Sequence, residues 1–177
     1  GVGDGADRIP AQGARLAQQH RLGNYPGEVG SALAIIDAQA KPRGVVVIGL
    51  GQIGKLTPGS LGAAVARGVV EWIGAREEVR RRGSNGIAAA GGISLLLIGA
   101  GEGGVDADTA VYSILRGVRE GIERGRRAGV AATLAEIEFV ELYKDRAHRL
   151  WHALGRPLRE AALKDAFVLP RSLLEIG

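Results

Sequence analysis

A chain of 177 residues, 46% hydrophobic and 24% charged, has the length and composition of one globular domain with a single core. It contains no cysteine, which excludes disulfides and a cysteine nucleophile. The net charge of +4 rests on 19 arginines and 4 lysines against 19 acids, and an aromatic content of 4% leaves too few rings for base-stacking platforms, so nucleic acid is not among the expected partners.

No apolar run approaches the roughly 20 residues of a membrane helix, and no charged-then-apolar leader opens the chain. The expectation is a soluble, cytoplasmic protein without a membrane partner. Methionine is absent even at position 1, so the chain reads as a piece of a longer polypeptide. Residues 1–20 read as a lead-in with a short helix from Ala11 to His20, residues 21–156 as an α/β domain, and residues 157–177 as a short helix and tail leading toward a following domain.

After the turn chemistry of Leu22 to Gly30, Ser31 to Asp37 (SALAIID) reads as a strand, and Ala38 to Arg43 as its turn into the next. Val45 to Ile48 is a short apolar run between glycines, the pattern of a strand buried on both faces. Thr57-Pro58 starts a helix, with Thr as N-cap and Pro at the first helical position; Leu61, Val65, Val69, Trp72 and Ile73 form the face that covers the sheet. Gly83 to Gly92 is a flexible connection, and Ile93 to Ile98 a second buried strand. Asp106 or Asp108 caps the next helix, whose stripe is Val111, Ile114, Leu115, Val118 and Ile122. Ile137 to Leu142 alternates as a strand, and from Asp145 a helix turns Ala147, Leu150, Trp151 and Leu154 inward. Strand, helix, strand, helix, strand predicts right-handed crossovers and a largely parallel sheet.

Within this order one motif is written twice. Gly44 to Ile73 and Gly92 to Ile122 each run from an apolar strand through a glycine cluster into an amphipathic helix; Ile48-Gly49-Leu50-Gly51 aligns with Ile98-Gly99-Ala100-Gly101, and Arg67-Gly68-Val69 with Arg116-Gly117-Val118. Glycines between a strand's carboxyl end and a helix N-terminus bring bare N–H groups together, which suits anions. Gly49, Gly51, Gly54, Gly99, Gly101, Gly103, Gly104 and Asp106 are therefore the candidate lining of a crevice for a phosphate-bearing or acidic ligand. The alternative for the second loop is a tight turn without a ligand.

Other motifs carry less chemistry. Gly49 to Gly54 (GLGQIG) has the spacing of the dinucleotide fingerprint, but its helix starts only at Thr57-Pro58 and no acid ends a second strand at the required distance. His148 and His152 share a helix face without the glutamate of a zinc-protease motif, so they read as surface histidines and no metal is expected. The arginine runs 76–82 and 116–127 alternate with acids, as solvated helix faces with i,i+4 pairs do. Glu138, Glu141 and Asp145 read as a strand edge and a helix cap, and no residues form a catalytic set.

Ile93 to Gly121 followed by Glu136 to Leu154 resembles the second half of a macro domain, and Val45 to Gly68 is similar to the macro-like N-terminal domain of leucyl aminopeptidases. Leu22 to Gly30, Val45 to Pro58, Leu95 to Gly104 and Glu138 to Ala147 together resemble the region preceding the caspase-like CHAT peptidase domain of large bacterial proteins. The Asn-Ala-Ala-Asn stretch of ADP-ribose-binding macro domains is missing, as are the aminopeptidase metal domain and the caspase-like histidine and cysteine. What the resemblance implies is a three-layer α/β/α fold with a mostly parallel mixed sheet, working as a non-catalytic regulatory or ligand-sensing module beside a peptidase domain of the same parent chain. It requires no cofactor; its small ligand would be nucleotide-like. Two rivals stand beside it: an ADP-ribosyl hydrolase using Asp106 or Glu102, and a purely structural protein-interaction module.

Overall fold

The computed structural model describes residues 10–83, 87–98 and 104–170. In chain order these form helix α1 (Pro10–Arg21), strands β1 (Ala32–Ile36) and β2 (Gly44–Ile48), helix α2 (Pro58–Arg81), strand β3 (Ala90–Leu96), helix α3 (Ala107–Arg127), strand β4 (Thr133–Val140) and helix α4 (Lys144–Gly155), then a 3₁₀ turn at Pro157–Arg159. The fold is mixed α/β. No helix among the described residues is long and apolar enough to cross a membrane.

The strands form two two-stranded sheets, where the sequence pattern led us to expect one mostly parallel sheet. β1 and β2 make an antiparallel hairpin, with Ala32 opposite Ile48 and Ile36 opposite Gly44. Residues 37–43 are too few for a crossover, so the apolar runs fold back on each other. The turn contains a cis Lys41–Pro42 bond and closes with the Asp37 N–H donating to the Arg43 carbonyl at 2.7 Å. β2 is half-buried throughout, not enclosed on both faces. β3 and β4 pair in parallel, from Ala90 opposite Thr133 to Leu96 opposite Val140, with a register shift at Gly91/Gly92. Helix α3 supplies their crossover.

Capping fixes where the long helices begin. Thr57 accepts the Ser60 N–H at 3.1 Å while the Ser60 hydroxyl accepts the Thr57 N–H at 2.9 Å, a reciprocal capping box with Pro58 behind it. Asp106, of the two aspartates in question, caps α3 by accepting the Thr109 N–H at 3.0 Å.

Leu61, Val65, Val69 and Ile73 of α2 pack with Ala110, Ile114 and Val118 of α3 in the main core. Val111 and Leu115, on another side of α3, meet Leu150 and Ala153 of α4 and Leu163. Ile137 and Phe139 join both clusters, so all three helices cover one face of the β3–β4 sheet. The α2–α3 seam is lined by glycine. A Cβ on Gly121 would stand 2.6 Å from the Val69 Cβ and 2.8 Å from the Ala66 carbonyl; one on Gly117 would overlap the Gly62 carbonyl, and one on Gly125 the Ile73 Cδ1. These contacts advance in step along both helices, so α2 and α3 run parallel with their N-termini at the same end. On its other side α2 meets the hairpin, where a Cβ on Gly68 would lie 2.5 Å from Ile48 Cγ2.

Two substitutions of one kind therefore separate by sign. Gly121→Ala overpacks the seam and is expected to destabilise by about 1–3 kcal/mol. Gly74→Ala, in the same long helix as Ala66 and Val69 but with open space around the new methyl, is expected to stabilise by about 1 kcal/mol through helix propensity. Denaturant unfolding of the two variants measures both.

Candidate functional site

The parallel course of α2 and α3 puts the first glycine loop at the same end of the molecule as Gly104, the described residue of the second. Within the first loop, however, the N–H groups of Gly49 and Gly51 are engaged. Gly49 donates to the Ser31 carbonyl at 2.8 Å and Gly51 to the Gly27 carbonyl at 2.9 Å, so the loop zips onto residues 27–31. Gly49 is buried with no room for a Cβ beside the Glu28 carbonyl, and Gly51 sits at φ 77° against Val29. These two glycines serve backbone packing, which corrects the expectation of bare donors there. Gly54 (φ 77°) and Gly104 (φ 82°) are exposed with open space beside them. Gly99, Gly101 and Gly103 lie outside the described residues.

Both helix N-termini at this end already face protein acceptors. The Thr57 hydroxyl occupies one and the Asp106 carboxylate the other. The Asp106 pKa is lowered by its hydrogen bonding to Thr109, so the negative charge that a helix N-terminus favours is supplied by the chain itself. Asp106 acts here as a cap. His148 and His152 are both exposed on α4, and no group of three or more metal-binding side chains comes together among the described residues. Asp145 is not a cap: the N-cap of α4 is Tyr143, and Asp145 pairs with Arg149 at 2.6 Å.

At the opposite end, two residues of the arginine run 76–82 turn inward instead of lying on a solvated face. Arg76 stacks over Trp72, its Cζ 4.5 Å from the ring centroid, and its Nη2 donates to the carbonyls of Ala88 at 2.6 Å and Ala90 at 3.2 Å. Burial, and then the charge of Arg43, push its pKa down. Glu77 is 5% exposed; it takes Arg80 and Arg81 at 3.0 and 2.8 Å and accepts the Ala132 N–H at 3.2 Å. One helical turn thus holds the entry of β3 through Arg76 and of β4 through Glu77. The sequence signal for this was the Trp72-to-Arg76 spacing of four, which places a cation above a ring on one helix face. Two shallow cavities of about 410 and 400 Å³ lie at this end, one beside Arg15, Asp37, Val79 and Arg82, the other beside Glu77, Arg81 and Val130. Their charges are matched internally, Arg15 to Asp37 at 3.7 Å and Arg81 to Glu77 at 2.8 Å. The remaining arginine pairs on α2 and α3 include Arg67 with Glu71 and Arg124 with Glu120 at the i,i+4 spacing read from the sequence, and Arg126 with Glu123 at i,i+3.

The third surface is the outer face of the parallel sheet. Exposure alternates along β3, and Gly92, Ser94 and Leu96 point outward opposite Glu136, Glu138 and Val140. Leu96 is 64% exposed and Val140 42%, and Ser94 donates a hydrogen bond across the strands to the Glu138 carboxylate. The Ile93 to Ile98 segment is therefore covered on one face only. The alternation of Glu136, Ile137, Glu138 and Phe139 in β4 carries the same signal for its own outer side.

Hydrogen bonds from Arg80, followed by those from Arg81, hold the Glu77 carboxyl down to about 2, against an ordinary value of 4.5. Folding favours its charged form, so this contribution is complete above pH 4.5 and disappears as the pH falls through 2. Glu77→Gln is expected to melt at lower temperature at neutral pH and to lose stability less steeply than the parent between pH 4.5 and 2, with Asp106, Glu123 and Asp145 leaving a residual slope. Thermal melts across that range test it. Comparison with protein-family models, with curated proteins and with solved structures yields no match to this chain.

Proposed function

We propose that this chain is a non-catalytic regulatory module of macro-like type, set beside a peptidase domain in a larger bacterial protein, and that it works by protein interaction through the uncovered face of the β3–β4 sheet. The observation that carries this reading is the one-sided cover of a parallel pair. Parallel strands are built into folds that bury both faces, because each crossover lays a helix on the sheet. Here α2, α3 and α4 all lie on the same face. A second helical layer from a neighbouring domain completes the α/β/α arrangement that the macro-like resemblance implies.

Ligand sensing is the second reading, favoured by one feature: Gly104 stands exposed at φ 82° beside the start of α3, at the same end as exposed Gly54. It is narrower than the duplicated motif suggests, since Gly49 and Gly51 already spend their donors on residues 27–31. The hydrolase reading loses support in the same way, because the Asp106 carboxylate is tied to the Thr109 N–H and Glu102 lies outside the described residues.

Two measurements decide among them. Leu96→Thr with Val140→Thr is expected to change the unfolding free energy by no more than about 0.5 kcal/mol each, as substitutions on a free surface do; unfolding of the variant would show that the face belongs to the core. ADP-ribose, NAD and nucleotides are expected to leave the melting temperature unmoved, and mono-ADP-ribosylated protein to keep its label. A concentration-dependent rise with any of these ligands replaces the interaction reading with the sensing one.

A further inference from the structure

The uncovered sheet face has a chemistry of its own, and that chemistry selects what covers it. Four cross-strand pairs make up the surface: Ala90 with Thr133, Gly92 with Glu136, Ser94 with Glu138, and Leu96 with Val140. At the amino end the two acids lean across the short residues opposite them: Glu136 Oε2 stands 3.6 Å from where a Gly92 Cβ would be, and the Glu138 carboxylate accepts the Ser94 hydroxyl. At the carboxyl end Leu96 and Val140 form an apolar step, continued past β4 by Leu142, which is 87% exposed. Along the β4 side runs negative charge from Glu136 and Glu138. Neither strand contains a basic residue (AGGISLL and TLAEIEFV), so nothing on the sheet neutralises these carboxylates.

We infer that the occupant of this face is an amphipathic helix of a partner protein or domain whose apolar stripe is flanked by arginine or lysine. This rests on the interaction reading above and adds the partner's chemistry. A helix fits because one amphipathic face presents an apolar stripe to Leu96 and Val140 and flanking charge to the acids beside them. It is cationic because Glu136 and Glu138, exposed now, lose water on docking and then need opposite charge. A second copy placed face to face would set the same acids against each other, which disfavours self-association. The whole chain is net +4, so a preference for a cationic partner cannot come from overall charge and must be local to this face.

The test uses the intact chain with a labelled 18-residue peptide of alanine, leucine and arginine, its leucines at helical spacing, and a second peptide with glutamate for each arginine. Fluorescence anisotropy reads affinity and amide NMR shifts read position. The arginine peptide is expected to bind at least about tenfold more tightly than the glutamate peptide, with shifts concentrated on Ser94, Leu96, Glu138 and Val140. Combining Glu136→Gln and Glu138→Gln is expected to remove most of that preference while leaving the circular dichroism spectrum unchanged. Leu96→Ala with Val140→Ala should weaken both peptides alike. Equal affinity for the two peptides at these amides overturns the cationic occupant and leaves the face as an interface; shifts confined to other elements overturn the interaction reading as well. Sedimentation without peptide is expected to give a monomer, and a dimer broken by the Glu136 and Glu138 changes overturns the proposal in favour of a second copy.

Discussion

The close approach of α2 and α3 is the constraint on which the remaining architecture depends. Two helices of this length separate by the bulk of their side chains unless one surface is stripped, and here Gly117, Gly121 and Gly125 strip it at intervals of four along α3. The backbones then come near enough for Gly62, Ala66 and Val69 to seat against them, and Leu61, Val65, Ile114 and Val118 close the core on either side. Because the partners advance in step, the helices run parallel. The starts of both helices, at Thr57 and Asp106, therefore lie at the same side of the molecule.

That seam also explains the polar residues buried at the far end. Helix α2 is 24 residues long, and its last turns pass beneath the entries of β3 and β4. A helix there meets backbone carbonyls and N–H groups that no strand partner satisfies, and an unpaired buried polar group is costly. Arg76 donates to the carbonyls before and at the start of β3, Glu77 accepts the N–H before β4, and Trp72 shields the guanidinium. Arg76 has carbonyls and a ring about it but its Nε keeps no partner, so its burial is only partly offset. The carboxylate of Glu77, by contrast, is shared between two arginines, so its burial does not leave an isolated charge.

Function follows from which backbone groups the fold leaves unused. A glycine loop is an anion site only while its donors are free, and residues 27–31 claim those of Gly49 and Gly51. The two helix N-termini are likewise occupied by Thr57 and Asp106. What the fold leaves open is a whole face of the parallel sheet, because the seam gathers α2, α3 and α4 on the other side. The open sheet face is thus the consequence of the same packing that closes the core.

Much of the local structure was legible in the residues. Thr57-Pro58 and Asp106 marked the helix starts, the apolar stripes 61–73 and 111–118 marked their buried faces, and the strand segments were recognisable within a few residues, since capping and periodicity act over one or two turns of chain. Partnership was not legible. Val45 to Ile48 and Ile93 to Ile98 look alike as apolar runs, yet one became half of an antiparallel hairpin and the other a parallel strand open on one face. The duplicated tripeptide makes the same point: Arg67-Gly68-Val69 and Arg116-Gly117-Val118 each place a glycine at the same point of a helix, but Gly68 lies against Ile48 of the hairpin and Gly117 against Gly62 of the neighbouring helix. The sequence by itself determined where helices begin, which faces are apolar and where glycine is needed. Only the tertiary structure decided what each glycine meets, because that depends on distances between segments far apart in the chain, and no local pattern encodes them.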